Sequence, residues 1–176
     1  VQLWGIGETI LTLPAIHELK KNYPNSKISV LCTHRNKDVY YGQDINIIET
    51  SMNIISIKFF CAKNFQQYDL VLDFEEYLNI SAIISLSVGK YRIGFSHGAK
   101  SLCYNQKVAY NDNQHTTLTF MDLLQPLGVE VTPKKLINLE CSNEDKKFVN
   151  NLIQELKLKN IIGITPGAAE SSKSRM

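Results

Sequence analysis

The sequence predicts an α/β fold: a mostly parallel sheet with helices on both faces. Two observations carry this. Short apolar runs alternate with longer segments whose apolar residues recur at helical spacing, and turn-forming residues separate them. The composition agrees. The 176 residues are 44% hydrophobic and 20% charged, an ordinary globular balance with length for one full-sized core.

The elements follow in order. Val1–Trp4 reads as the tail of a first strand, and Gly5-Ile6-Gly7 as a turn. Thr9–Tyr23 reads as a helix through Ile10, Leu13, Ile16 and Leu19. Pro14 either kinks that helix or opens its main part. Lys27–Cys32 is a strand, which completes a βαβ unit. Ile45–Glu49, Ile54–Phe60 and Tyr68–Phe74 are further expected strands, and Tyr77–Val88 is a helix. Tyr91–Phe95 and Gln106–Tyr110 are short strands around a glycine-rich basic loop. His115–Leu127 is a helix closed by Gly128, and Ile137–Glu140 is extended. Ser142 and Asp145 start a helix that runs to about Leu158. Asn160–Thr165 is a last strand before Pro166-Gly167-Ala168. Ligands of such sheets bind beyond the carboxyl ends of the strands. Gly5–Thr9, Phe74–Asn79 and Thr165–Lys173 are therefore the loops to examine.

Several function classes fall away. A net charge of +2 is too small to argue for nucleic acid. The four cysteines, Cys32, Cys61, Cys103 and Cys141, form no Cys-x-x-Cys pair, so no zinc or redox motif is present. Scattered thiols fit a reducing, cytosolic compartment. No apolar run is long enough to cross a bilayer. His17 and His34 lack metal-ligand spacing to any acid or cysteine, and no metal is expected. The opening Val1-Gln2-Leu3-Trp4 and the closing Lys173-Ser174-Arg175-Met176 read as the ends of a piece of a longer protein.

Gly5-Ile6-Gly7-Glu8-Thr9 is the first candidate for chemistry. Its glycines let the backbone approach a ligand, and the following helix start favours an anion. A dinucleotide fingerprint needs glycine at position 10, where Ile10 stands, which disfavours a nicotinamide enzyme. No Gly-Lys-Ser/Thr occurs, so a P-loop is excluded. On spacing alone, Glu8 reads first as an acid complementing the helix dipole. An ionised carboxylate at the crevice rim can also take a proton from an attacking hydroxyl. Arg92, His97 and Lys100 surround a glycine loop that either holds acidic groups of a ligand or is simply a solvated basic loop. Glu75 and Glu76 either bond ligand hydroxyls or begin a helix. His115 reads as packed or capping.

Four segments then agree in order. Gly7-Glu8-Thr9-Ile10-Leu11-Thr12-Leu13-Pro14-Ala15-Ile16 resembles the opening motif of glycosyltransferase family 9, the heptosyltransferases. Tyr68–Phe74 resembles that family's second acidic-ended strand, and Arg92-Ile93-Gly94-Phe95 its Arg-Ile-Gly-Phe motif. Ile162–Ala168 with Lys173 resembles its Pro-Gly-Ala…Lys segment. The resemblance implies the N-terminal half of a GT-B fold, with two Rossmann-like domains facing across a cleft. Residues 1–158 would be the acceptor-binding domain, and 159–176 the junction and start of the donor domain.

It further implies an inverting transferase that moves a sugar, commonly heptose from an ADP-sugar, to a lipopolysaccharide-type saccharide or glycolipid. No cofactor or metal is implied. The location implied is cytoplasmic, with peripheral contact at the inner membrane. Glu8 takes the place of the family's catalytic aspartate. Gly7, Thr9, Glu75 and Arg92 fall on the acceptor side, and Thr165, Gly167 and Lys173 on the donor side. Glu8 replaces the usual aspartate, and Ser174-Arg175-Met176 replaces the usual Arg-Trp-Pro. These departures keep open a non-catalytic sugar- or nucleotide-binding module on the same fold. The 176 residues alone are expected to be inactive.

Overall fold

The computed structural model describes residues 1–3, 5–132, 135–159 and 161–164. The chain falls into two units, Val1–Glu140 and Cys141–Met176. In the first, α1 (Ile6–Asn22) is followed by β1 (Ser29–Cys32) and β2 (Asn46–Glu49). Then come α2 (Ile54–Lys63), β3 (Tyr68–Asp73), α3 (Asn79–Val88), β4 (Gly89–Phe95), β5 (Gln106–Val108) and α4 (Thr116–Asp122).

All paired strands are parallel. β1 pairs with β2, and β3, β4 and β5 form a second sheet in that order. The extended residues Val1–Leu3 run between the two sheets. The Val1 nitrogen donates to the Leu72 carbonyl at 2.6 Å, and Phe74 N–H donates back to Val1 at 3.1 Å. On the other side, Gln2 N–H donates to Leu31 at 3.0 Å. The lateral order is therefore β2, β1, Val1–Leu3, β3, β4, β5. This is the Rossmann order, and it reverses direction between Val1–Leu3 and β3.

Alternate strand residues face opposite sides, as the pleat requires. Leu31 and Val71 pack with Ile57, Ile84 and Val88 of α2 and α3. Leu72 and Phe74 pack on the other face with Phe120 and Met121 of α4 and Ala15 of α1. Val30 and Cys32 meet Leu13 and Ile16 of α1 and Val39 and Tyr40 of a short 3-10 turn.

Several expectations change. Helix α1 already begins at Ile6, with Gly5 as its N-cap, so Gly7 and Glu8 lie inside its first turn. It runs unbroken through Pro14. Ile54–Phe60 is a helix, not a strand. The Asn53 side chain accepts from Ser56 N–H at 2.8 Å and starts it, and only Ile57 of its β-branched residues is buried. The run of isoleucines imitates a strand, but Ile57, Phe60 and Cys61 keep helical spacing toward the core. The helix after His115 stops at Asp122, because Pro126 directs the chain into a 3-10 turn ended by Gly128 at φ 77°. Residues 161–164, expected within a last strand, form none. In the second unit, α5 (Asn143–Glu155) starts with the expected Ser142–Asp145 capping box.

Asn36 fastens the bridging segment. It is fully buried and donates to the Gln2 carbonyl at 3.1 Å and the Thr9 hydroxyl at 2.8 Å. It accepts from Thr33 N–H and from the Thr33 hydroxyl. Asn36→Ala orphans several buried groups at once. We expect it to lower stability by about 2–4 kcal/mol in urea-induced unfolding.

Candidate active site at the carboxyl edge of the sheet

The carboxyl ends of all strands lie on one edge, and the order reverses beside Leu3. Glu8 stands there, in the first turn of α1, exposed. Its carboxylate folds back over the helix start. A Cβ on Gly5 would fall 1.8 Å from Glu8 Oε2, so glycine leaves the room the carboxylate occupies. A Cβ on Gly7 would meet open space. Gly7 thus keeps the approach to the helix start clear.

Three other loops bring polar groups to this edge. His97 Nδ1 lies 3.8 Å from Glu76 Oε1, and the Tyr77 ring meets the His97 ring edge-on at 4.9 Å. The adjacent Glu76 carboxylate raises the pKa of the Tyr77 phenol. Burial raises the pKa of Tyr110, and the carboxylates of Glu76, Asp112 and Glu8 add to the effect. Glu8, Glu76 and Asp112 therefore all act on one phenol. The edge combines carboxylates, phenols and an imidazole, the side-chain types that bond sugar hydroxyls.

The remaining expected acceptor residues are elsewhere engaged. Thr9 is fully buried; its hydroxyl donates to the Gly5 carbonyl at 2.7 Å and accepts from Asn36. Glu75 is buried, and its carboxylate accepts from Leu3 N–H at 2.6 Å. The Arg92 guanidinium donates to the carbonyls of Cys103, Gly89 and Lys90 at 2.7, 2.8 and 3.2 Å. It holds the chain around β4 and does not join Glu8. Thr165, Gly167 and Lys173 lie outside the described residues. His115 caps α4, accepting from Thr117 N–H through Nδ1 at 3.2 Å.

A buried polar network supports the edge from beneath. Asp73 accepts from the Tyr104 hydroxyl at 2.5 Å, the Ser81 hydroxyl at 2.7 Å and Glu75 N–H at 3.1 Å. Lys100 Nζ lies 3.8 Å from Asp73, donates to the Glu75 carbonyl and sits 3.5 Å from Ser81. Burial lowers the Lys100 pKa, opposed by Asp73, Glu75 and Glu76. Gly94 admits this arrangement: a Cβ there would lie 2.4 Å from the Tyr104 ring. In Arg92-Ile93-Gly94-Phe95, then, the arginine ties down Cys103 and the glycine seats Tyr104 against Asp73. Tyr110 and Asp112 were missed by sequence reasoning, because they follow a three-residue strand in a loop with no recognisable spacing.

A cavity of about 840 Å³ is lined by residues that include Tyr23, Ile28, Tyr68, Leu70 and Leu127 and do not include Glu8. Among the described residues, no helix is long and apolar enough to cross a membrane, and no group of three His, Cys, Asp or Glu side chains could hold a metal ion.

The model of glycosyltransferase family 9 (heptosyltransferase) matches residues 61–174. The chain belongs to glycosyltransferase family 9. The matched stretch includes Asp73, Arg92–Phe95 and Lys173, while Glu8 precedes it. A search of curated proteins finds no sequence match. Among solved structures, a family 9 glycosyl transferase from Veillonella parvula superposes with a TM-score of 0.76 at 19% identity, covering 93% of this chain and 53% of its own. The E. coli heptosyltransferase WaaC with ADP-2-deoxy-2-fluoro heptose gives 0.63 at 17% identity, covering 77% and 51%. WaaC with ADP gives 0.61 at 18% identity, covering 77% and 50%. The chain thus spans about half the length of the solved structures it matches, and at these identities the likeness shows the fold.

The Asp73–Lys100 pair yields a stability test. Lys100→Met leaves the Asp73 carboxylate buried without its cation, and we expect a loss of about 3–5 kcal/mol in urea-induced unfolding. Adding Asp73→Asn should restore part of it, so the double variant loses less than the two single losses summed.

Proposed function

We propose that this chain is the acceptor-binding half of an inverting glycosyltransferase. The observation that carries the reading is the placement of Glu8. It is an exposed carboxylate at the reversal of strand order, on the same carboxyl edge as the loops that carry Glu76, Tyr77, His97, Tyr110 and Asp112, and it acts electrostatically on Tyr110. Family membership supports transfer of a sugar, and the ADP and ADP-heptose analogue held by WaaC support an ADP-linked donor.

In the proposed reaction, an acceptor hydroxyl oxygen attacks the anomeric carbon of the donor. The bond from that carbon to the diphosphate oxygen breaks, and the configuration inverts. The hydroxyl proton passes to Glu8 as general base. Glu76, Tyr77 and Asp112 orient the acceptor hydroxyls, a saccharide or glycolipid of the lipopolysaccharide type. Arg92 and Glu75 serve the scaffold in this reading, because backbone groups already engage them. Residues 1–158 form the acceptor domain. Thr165, Gly167 and Lys173 are assigned to the donor by the family resemblance alone, where a lysine would offset charge growing on the leaving diphosphate. No resident cofactor or metal enters this scheme. The proposed location is the cytoplasmic side of the inner membrane.

Glu8→Gln in the full-length protein removes the base but keeps the shape. We expect kcat to fall about 100-fold or more, with donor affinity unchanged. Glu8→Asp should retain a substantial part of the activity. Normal turnover by Glu8→Gln would contradict the assignment.

A further inference from the structure

The loops that follow β3, β4 and β5 span residues 74–78, 96–105 and 109–115. They carry three carboxylates, Glu75, Glu76 and Asp112, but only one lysine, Lys100, and no arginine. That lysine does not reach the edge. Its side chain is 1% exposed and lies among Asp73, Ser81 and the Glu75 carbonyl. Arg92, within β4, directs its guanidinium to the carbonyls of Cys103, Gly89 and Lys90. The exposed His34 and Arg35 follow β1, on the other side of Val1–Leu3 in the sheet order.

What these loops present to solvent is therefore acidic and aromatic. Glu8 and Asp112 are exposed, and Tyr77 is 67% exposed. The Tyr77 ring stands at 79° to the His97 ring with 4.9 Å between centroids, which steadies it while most of its surface stays open. His97 Nδ1 faces Glu76 at 3.8 Å, so a proton on that imidazole is met by a carboxylate. Glu8, Glu76 and Asp112 all act electrostatically on the Tyr110 phenol, which places the three charges around one small region. Carboxylates accept hydrogen bonds from hydroxyl groups and repel phosphate or carboxylate. An aromatic ring offers a negative face to the weakly positive C–H groups of a pyranose. Both features favour a ring of hydroxyls and C–H groups over an anion.

We infer that the acceptor ring seated at this edge is a pyranose that carries no phosphate or carboxylate. Its C–H face lies on Tyr77, and its hydroxyls donate to Glu76 and Asp112. An anionic substituent there would meet three carboxylates, with the neighbouring cations, Arg92 and Lys100, already turned inward. The inference rests on the proposed transfer reaction, because it takes this edge to be the acceptor side.

The test is saturation-transfer NMR on the full-length protein with the methyl glycosides of glucose, galactose and mannose, each beside its 6-phosphate. We expect at least one glycoside to bind, and its phosphate to bind about tenfold more weakly or not at all. Tyr77→Ala should weaken binding of the glycoside about tenfold, while Tyr77→Phe keeps it. Glu76→Gln should narrow the gap between glycoside and phosphate, a change that a merely structural role would not produce. Thermal melting of each variant reports the fold, and the Glu76→Gln ratio decides the matter should Tyr77→Ala fold poorly. A phosphate that binds as well as its glycoside, a gap unchanged by Glu76→Gln, binding unchanged by Tyr77→Ala, or no binding of any glycoside overturns the inference. Turnover with nucleotide-sugars separates the two readings. Faster transfer to the phosphorylated acceptor overturns this inference alone, whereas selective binding of the glycoside without any transfer overturns only the proposed reaction.

Discussion

Everything at the carboxyl edge depends on the extended segment Val1–Leu3. It hydrogen-bonds to β1 on one side and β3 on the other, and so joins two sheets that share no direct strand pairing. Its backbone is held by side chains as well as by strands. Asn36 fixes the Gln2 carbonyl, the Thr33 hydroxyl lies 3.3 Å from the Leu3 carbonyl, and Glu75 receives Leu3 N–H. Each of these contacts spans at least 30 residues of sequence. Together they fix where α1 begins, and hence where Glu8 stands.

The second constraint is the buried Asp73 network. A carboxylate and an ammonium in a protein interior are costly unless hydrogen bonds surround them. Here Tyr104, Ser81 and the backbone at Glu75 supply those bonds, and Gly94 gives Tyr104 its room. The network pins the turn after β3 that presents Glu76 and Tyr77. The fold's most polar interior and its candidate reaction site are thus two sides of one loop.

The alternation of elements was legible in sequence because burial imposes period on it. The βαβ opening, the parallel sheet, the Ser142 cap and the capping role of His115 all follow from local pattern. The helix at Ile54 was not legible, since a run of β-branched residues mimics a strand and only tertiary packing shows which of them is buried. For the site, the turn and helix start place Glu8 at the sheet edge, while its role as base is read only from the family resemblance. Arg92 looks ready for anions because it is basic and near glycines, and its hydrogen-bond partners are backbone carbonyls. Glu8 and Asp112 both act electrostatically on Tyr110 only through long-range topology, which spacing does not encode.

In the proposed function, this fold serves a nucleotide-sugar transferase. The most direct measurement is the melting temperature of the full-length protein with nucleoside diphosphates and with ADP-, GDP- and UDP-sugars in turn. A ligand bound only by the native state raises that temperature as occupancy rises. A nucleotide-sugar transferase should show a clear rise with one nucleotide series, ADP-linked first. A well-folded full-length protein whose melting moves with none of them would contradict it and favour a non-catalytic module that binds sugar alone.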